Sequence, residues 1–109
     1  MQNANTNLTE PVLLILLSLA AQPRHGYAIL KDVEQMSDCR VRLSTGTLYG
    51  ALRRLLEDDW IQRCEDENTS RGRQGYRLTA KGRTLLKQEV ARMKELTRIA
   101  GLRIARREV

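Results

Sequence analysis

The sequence contains no phenylalanine, one tryptophan and three tyrosines, so aromatic residues make up only 4% of its 109 residues. A core without rings has to be filled by aliphatic side chains, here mostly leucine, which favours packed helices and argues against a β-sandwich. Cysteine is nearly absent as well. Cys39 and Cys64 are too few for a disulfide scaffold and match no zinc-ligand spacing, so a reducing cytoplasm is the expected setting and both thiols are expected to be buried and inert. The lone histidine, His25, has no nucleophile to activate and no partners for a metal, and no glycine-rich phosphate loop is present. An enzyme is therefore left without a reaction, and no cofactor or metal is expected. Beside a glycine at a helix start, His25 reads as a cap or packing residue. Long apolar runs are missing too. Val12 to Ala21 spans ten residues and is interrupted by Ser18, which excludes a transmembrane helix; the polar segment before it has no Lys or Arg, which argues against a signal peptide. A chain of this length suits one domain rather than a multidomain enzyme.

Positive charge is what the sequence has in excess. The net charge is +6 and the isoelectric point about 9.9, so the surface attracts polyanions, with nucleic acid the first candidate. Thr9-Glu10-Pro11 opens a first helix with a hydroxyl cap, an acid at the positive end of the dipole and a proline whose missing N–H is harmless. This helix runs to about Ala21, and Val12 to Leu17 is apolar on every side, so it must be surrounded by protein. After the break Gln22 to Gly26, apolar residues from Tyr27 to Met36 recur at helical spacing. Val41-Arg42-Leu43 alternates as a very short strand would, and Ser44 then caps a third helix.

In the third helix Leu48, Ala51, Leu52, Leu55 and Leu56 share one face, while Thr45, Thr47, Tyr49, Gly50, Arg53 and Arg54 fall largely outside it. One face is core; the other carries hydroxyls, a phenol and guanidinium groups, the chemistry that meets base edges and phosphates. Trp60 to Glu65 and Tyr76 to Thr79 form two strands of a hairpin around a polar tip from Asp66 to Gly75 holding Arg71-Gly72-Arg73, a sequence suited to groove or phosphate contact; Trp60 is expected to anchor the hairpin to the core. From Ala80 a long helix follows, with Thr79 as its cap. Leu86, Val90, Met93, Thr97, Ala100 and Ile104 are spaced 4, 3, 4, 3, 4, and Leu96 widens this coiled-coil-like seam, so a second copy is the expected partner.

Helix, helix, short strand, helix and hairpin is the plan of a winged helix-turn-helix. Three stretches sharpen it: His25-Gly26-Tyr27; Gly46-Thr47-Leu48-Tyr49 with Ala51-Leu52-Arg53-Arg54-Leu55; and Tyr76-Arg77-Leu78-Thr79 followed by Lys81-Gly82. Over roughly residues 8 to 105 the chain resembles the PadR family of bacterial transcriptional regulators, in its short subgroup with one C-terminal dimerisation helix. It departs from the family pattern at Gly50, where proline is usual, at Asp59, where glycine is usual, and at Gln74-Gly75-Tyr76, where Lys-Tyr-Tyr is usual. Asp59 can still occupy a left-handed position.

The expected fold is mainly α with a small β-wing: a disordered tail over 1–7, a winged helix-turn-helix over 8–79 and a dimerisation helix over 80–109. The expected DNA contacts are Ser44, Thr45, Thr47, Tyr49, Gly50, Arg53, Arg71, Arg73 and Tyr76, and the expected dimer contacts are Leu86, Val90, Met93, Leu96, Thr97, Ala100 and Ile104. The resemblance implies a homodimeric repressor on a pseudo-palindromic operator, released when a small aromatic or drug-like compound binds near the dimer interface, between the last helix and the first. The rival reading is a winged-helix protein-interaction module that does not touch DNA, which salt-dependent binding to duplex DNA would discriminate.

Overall fold

The computed structural model describes residues 8–65 and 74–108, so the expected tail over 1–7 and the wing arginines Arg71 and Arg73 lie outside the described residues. The elements are α1 (Glu10–Ala21), β1 (Arg24–His25), α2 (Gly26–Met36), α3 (Thr45–Glu57), β2 (Ile61–Glu65), β3 (Gln74–Leu78) and α4 (Ala80–Glu108). The three strands form one antiparallel sheet in the order β1-β3-β2. Each helix start follows from its cap. Thr9 Oγ1 accepts from the Val12 N–H at 3.4 Å, His25 Nδ1 from the Ala28 N–H at 3.3 Å, Ser44 Oγ from the Thr47 N–H at 3.1 Å and Thr79 Oγ1 from the Gly82 N–H at 2.9 Å.

The core joins Ile15, Leu16 and Leu19 of α1, Ile29 and Val33 of α2, and Leu48, Leu52 and Leu55 of α3 to Trp60, Ile61, Tyr76, Leu78 and Leu86. Each such aliphatic side chain contributes about 1.5–3 kcal/mol on burial. Trp60 is buried against the start of α4, in keeping with its expected role as anchor. Among the described residues the cover of α1 is incomplete, and Leu13, Leu14 and Leu17 remain half-buried at the edge of the core.

Two sequence expectations are corrected. Val41-Arg42-Leu43 is not a strand; at its start the Ser37 hydroxyl engages both backbone groups of Val41, accepting from the N–H at 3.0 Å and reaching the carbonyl at 3.3 Å. The third strand is instead Arg24–His25, which pairs with Tyr76 and Gly75 and is held by Arg24, whose Nε donates to the Ser18 carbonyl at 3.2 Å while its Nη2 lies 3.5 Å from Asp32. Cys39 is exposed rather than buried, since it lies in the turn after α2 with φ 63° beside Asp38 at 54°. Asp59, at φ 65°, occupies the left-handed position expected of it before β2.

Gly82 is required by a close approach. A methyl group at this position would lie 2.0 Å from the Trp60 carbonyl oxygen, so only glycine lets the root of α4 rest on the entry to β2. Thr79 secures the same junction, its N–H donating to the Trp60 carbonyl at 3.0 Å and its hydroxyl to the Asp59 carbonyl at 2.7 Å. From this root α4 extends through 29 residues, roughly 43 Å at 1.5 Å per residue, beyond what the helical core covers.

Candidate nucleic-acid interface

The outward face of α3 is a direct consequence of its leucines. With Leu48, Leu52 and Leu55 buried, a rotation of roughly 100° per residue puts Thr45, Tyr49 and Arg53 in a row, with Gly46, Gly50 and Arg54 beside them, and all six are exposed. Tyr49 is 47% exposed despite its size. No carboxylate interrupts this row before Glu57. Ser44 and Thr47 are exposed too, but they also build the helix start: the Ser44 hydroxyl donates to Thr47 Oγ1 at 2.9 Å while accepting the Thr47 N–H.

Tyr49 forms one wall of a cavity of about 530 Å³ between α3, the start of α2 and β3, lined by His25, Gly26, Tyr27, Tyr49, Gln74 and Tyr76. The chain's three tyrosines and its one histidine thus converge on a single place. Gly26 makes this possible, because a methyl group there would lie 2.3 Å from the Tyr49 hydroxyl. Since His25 Nδ1 accepts the Ala28 N–H, the neutral ring carries its proton on Nε2. Lys31 Nζ lies 5.6 Å from the centroid of the Tyr27 ring and adds positive charge nearby.

On the flank of α3 away from Tyr49 a groove of about 1150 Å³ runs between α1, α3 and the root of α4, with Gly46, Thr47, Gly50 and Arg54 on its α3 wall. Val12, Ile15, Leu43 and Leu85 give it apolar walls; Glu57, Asp58 and Asp59 give it an acidic end. Farther along α4, Leu96, Ile99, Leu102 and Ile104 are 50%, 39%, 59% and 59% exposed. The same helix carries two i,i+3 ion pairs. Arg92 grips the buried Glu89 through two hydrogen bonds of 3.2 and 2.5 Å, and Arg98 grips Glu95 at 3.1 and 2.7 Å. Each guanidinium holds its carboxyl below the usual range, chiefly through those hydrogen bonds.

A helix with a polar outward face between two capped helices and an antiparallel hairpin is an arrangement that known proteins share. The model of the transcriptional regulator PadR-like family matches residues 15–88, from α1 into α4. The chain belongs to this family. Two solved PadR-like folds superpose closely: a PadR family transcription regulator from Clostridium difficile, 25% identical, with a TM-score of 0.72 over 86% of this chain and 97% of that one, and a transcriptional regulator from Clostridium thermocellum, 26% identical, at 0.70 over 84% and 86%. An uncharacterized 37.1 kDa protein in a transposon of Streptomyces fradiae is 40% identical over 85 residues; the match takes in 78% of this chain but only 23% of that protein's length.

Within this PadR-like regulator the expected site residues separate into groups. Ser44, Thr45, Thr47, Tyr49, Gly50 and Arg53 are all exposed, with Tyr49 on one flank of α3 and Thr47 and Gly50 on the wall of the groove. Tyr76 does not belong with them. It is 6% exposed and part of the core, because β3 turns this residue inward, which corrects its place among the expected contacts. Leu86 is corrected in the same way: it is 4% exposed within its own chain and has nothing left to give a partner, and Val90 is half-covered by the same core. Met93 is half-buried, and Leu96, Thr97, Ala100 and Ile104 are exposed. The convergence of His25, Tyr27 and Gln74 on the flank of α3 was missed from the sequence. No local pattern links residues that β1–β3 pairing brings together from opposite ends of the winged domain.

Proposed function

We propose that this PadR-like regulator is a cytoplasmic, homodimeric repressor that binds a pseudo-palindromic operator. The observation that carries the reading is the α3 surface, a carboxylate-free row of hydroxyl, phenol and guanidinium groups backed by buried leucines. Ser44, Thr45, Thr47, Tyr49, Gly50 and Arg53 meet the major groove, with Arg71 and Arg73 of the hairpin on neighbouring phosphates. Dimerisation is supported by the exposed apolar side chains of α4 from Leu96 to Ile104 and by the half-covered Leu13, Leu14 and Leu17 of α1. A second copy would remove both from water, and a two-fold related pair places two recognition helices on one duplex.

Release is assigned to a small apolar or aromatic effector. The groove between α1, α3 and the α4 root supports this, since it combines apolar walls with contact to the helix that joins the two copies. Fluorescence anisotropy on duplex DNA tests the binding. With about six to ten phosphates neutralised per dimer, log K falls against log salt with a slope of about −5 to −9. A slope near zero removes the DNA reading and leaves a protein-interaction module. Calorimetric titration with phenolic and planar cationic compounds tests the effector: a heat signal with loss of DNA supports it, and silence across the panel with DNA binding intact identifies a regulator without one.

A further inference from the structure

The start of α1 is fastened to the turn that leads into α3. Arg40, in that turn, grips Glu10 through both terminal guanidinium nitrogens, Nη1 donating to Oε1 at 2.9 Å and Nη2 to Oε2, although the two residues are 30 positions apart. Both side chains are exposed, so the fork adds little to stability and mainly fixes geometry. Leu8 packs against the core and Thr9 caps the helix, which sets the direction from which the chain arrives. Leu8 and Thr9 also line the groove whose α3 wall is Gly46, Thr47, Gly50 and Arg54. The residues before Leu8 are thus delivered beside the helix assigned to DNA. On that wall a Cβ at Gly46 or Gly50 would meet nothing within 4 Å, so packing among the described residues requires neither glycine, and glycine weakens a helix relative to alanine. The bare flank leaves room for a further element.

We propose that residues 2–7 are an arm that lies along the glycine flank of α3 in the major groove and reads base edges next to those read by α3. The proposal rests on the DNA-binding reading of α3 and adds a second reading element to it. The segment Gln2-Asn3-Ala4-Asn5-Thr6-Asn7 carries amides at Gln2, Asn3, Asn5 and Asn7, a hydroxyl at Thr6 and no charge. An amide offers a donor and an acceptor side by side, the pattern that pairs with N6 and N7 of adenine in the major groove. A segment without Lys or Arg gains nothing from a narrow minor groove, whose negative potential selects cations. The apolar walls of the protein groove do not suit it either, since its amides would lose water there without gaining partners. Reach is sufficient. Six extended residues span about 20 Å, close to the length of the 13-residue α3 at 1.5 Å per residue. The major groove is about 12 Å wide and a helix with its side chains about 10–12 Å across, so a second element fits only where the helix is stripped of side chains, as at Gly46 and Gly50.

The test uses the full chain and Gln2→Ala/Asn3→Ala/Asn5→Ala/Asn7→Ala, which keeps the chain length, the Thr9 cap and every core residue. Each protein selects its preferred duplex from a library with about 30 random base pairs, enough for two half-sites. Both are then titrated by fluorescence anisotropy on the duplex the parent selects and on a scrambled one. The variant is expected to bind the selected duplex about tenfold more weakly and to select a motif that lacks part of each half-site. It should match the parent on the scrambled duplex, in salt slope and in melting temperature, since no cation and no core contact is lost. Equal affinity and an equal motif overturn the arm and leave the α3 reading in place. A parent that selects no motif overturns the two together. Equal losses on both duplexes assign the effect to sequence-independent contact and overturn base reading by the arm. Placement is read separately: p-benzoylphenylalanine in place of Asn5 is expected to crosslink to the selected duplex, and a crosslink to protein alone overturns the arm.

Discussion

Gly82→Ala is the change in which a single methyl group tests the architecture most directly. The added carbon would lie 2.0 Å from the Trp60 carbonyl oxygen, 2.9 Å from its carbonyl carbon and 3.1 Å from its Cα, all backbone atoms that cannot swing aside. Ordinary contact begins at 3.4 Å, so the root of α4 must retreat by about 1.4 Å. Such a retreat breaks the bonds from the Thr79 N–H and hydroxyl to the Trp60 and Asp59 carbonyls, now 3.0 and 2.7 Å long, at about 1 kcal/mol each, and it disturbs the packing of Trp60 by about 1–3 kcal/mol. The gain in helix propensity offsets about 0.5–1 kcal/mol. The net cost is about 2–4 kcal/mol, which in a domain of this size lowers the melting temperature by about 10–25 °C. Gly101→Ala is the control, because a methyl group there meets nothing within 4 Å and should stabilise α4 by about 0.5–1 kcal/mol. Circular dichroism melts of the parent and both variants, with Trp60 emission as a local probe, make the measurement. If Gly82→Ala melts within about 3 °C of the parent, α4 is not seated on the wing entry as described.

Gly26→Ala is expected to cost little stability, since the end of the Tyr49 side chain can move, yet to weaken DNA binding several-fold in an anisotropy titration because Tyr49 is displaced from the α3 row. Leu96→Glu should dissociate the dimer in sedimentation velocity at a cost of about 3–6 kcal/mol over both copies while leaving the helical signal intact, whereas Leu86→Glu should unfold the chain, the two residues being 50% and 4% exposed. The carboxyls of Glu10, Glu89 and Glu95 are held below their usual range by Arg40, Arg92 and Arg98, so their contribution to stability is complete above the unfolded-state value of about 4.3 and is lost as the pH falls below it through the lower folded values. Urea midpoints between about pH 7 and 3 should fall accordingly, and Arg92→Ala should flatten part of that fall.

The four helices and the wing strands were legible in the sequence because their signals are local. A hydroxyl marks the start of each of α1, α3 and α4, before an all-apolar run in α1, and the leucine spacing of α3 separates its core face from its polar face within a few turns. The exposed row of α3 follows from that spacing alone. Pairing and coverage were decided elsewhere in the molecule. Arg24–His25 became the third strand because β3 offered it a partner, while in Val41–Leu43, the better strand by composition, the backbone of Val41 was taken up by one serine hydroxyl. Leu86 and Leu96 carry the same side chain on the same helix, yet one is sealed by its own chain and the other is left half in water. Tyr76 turned inward and His25 turned its free nitrogen to a cavity for the same kind of reason. Hydrophobic periodicity says which side of an element avoids water; what it avoids water against depends on contacts between residues tens of positions apart, and those exist only once the chain has closed on itself.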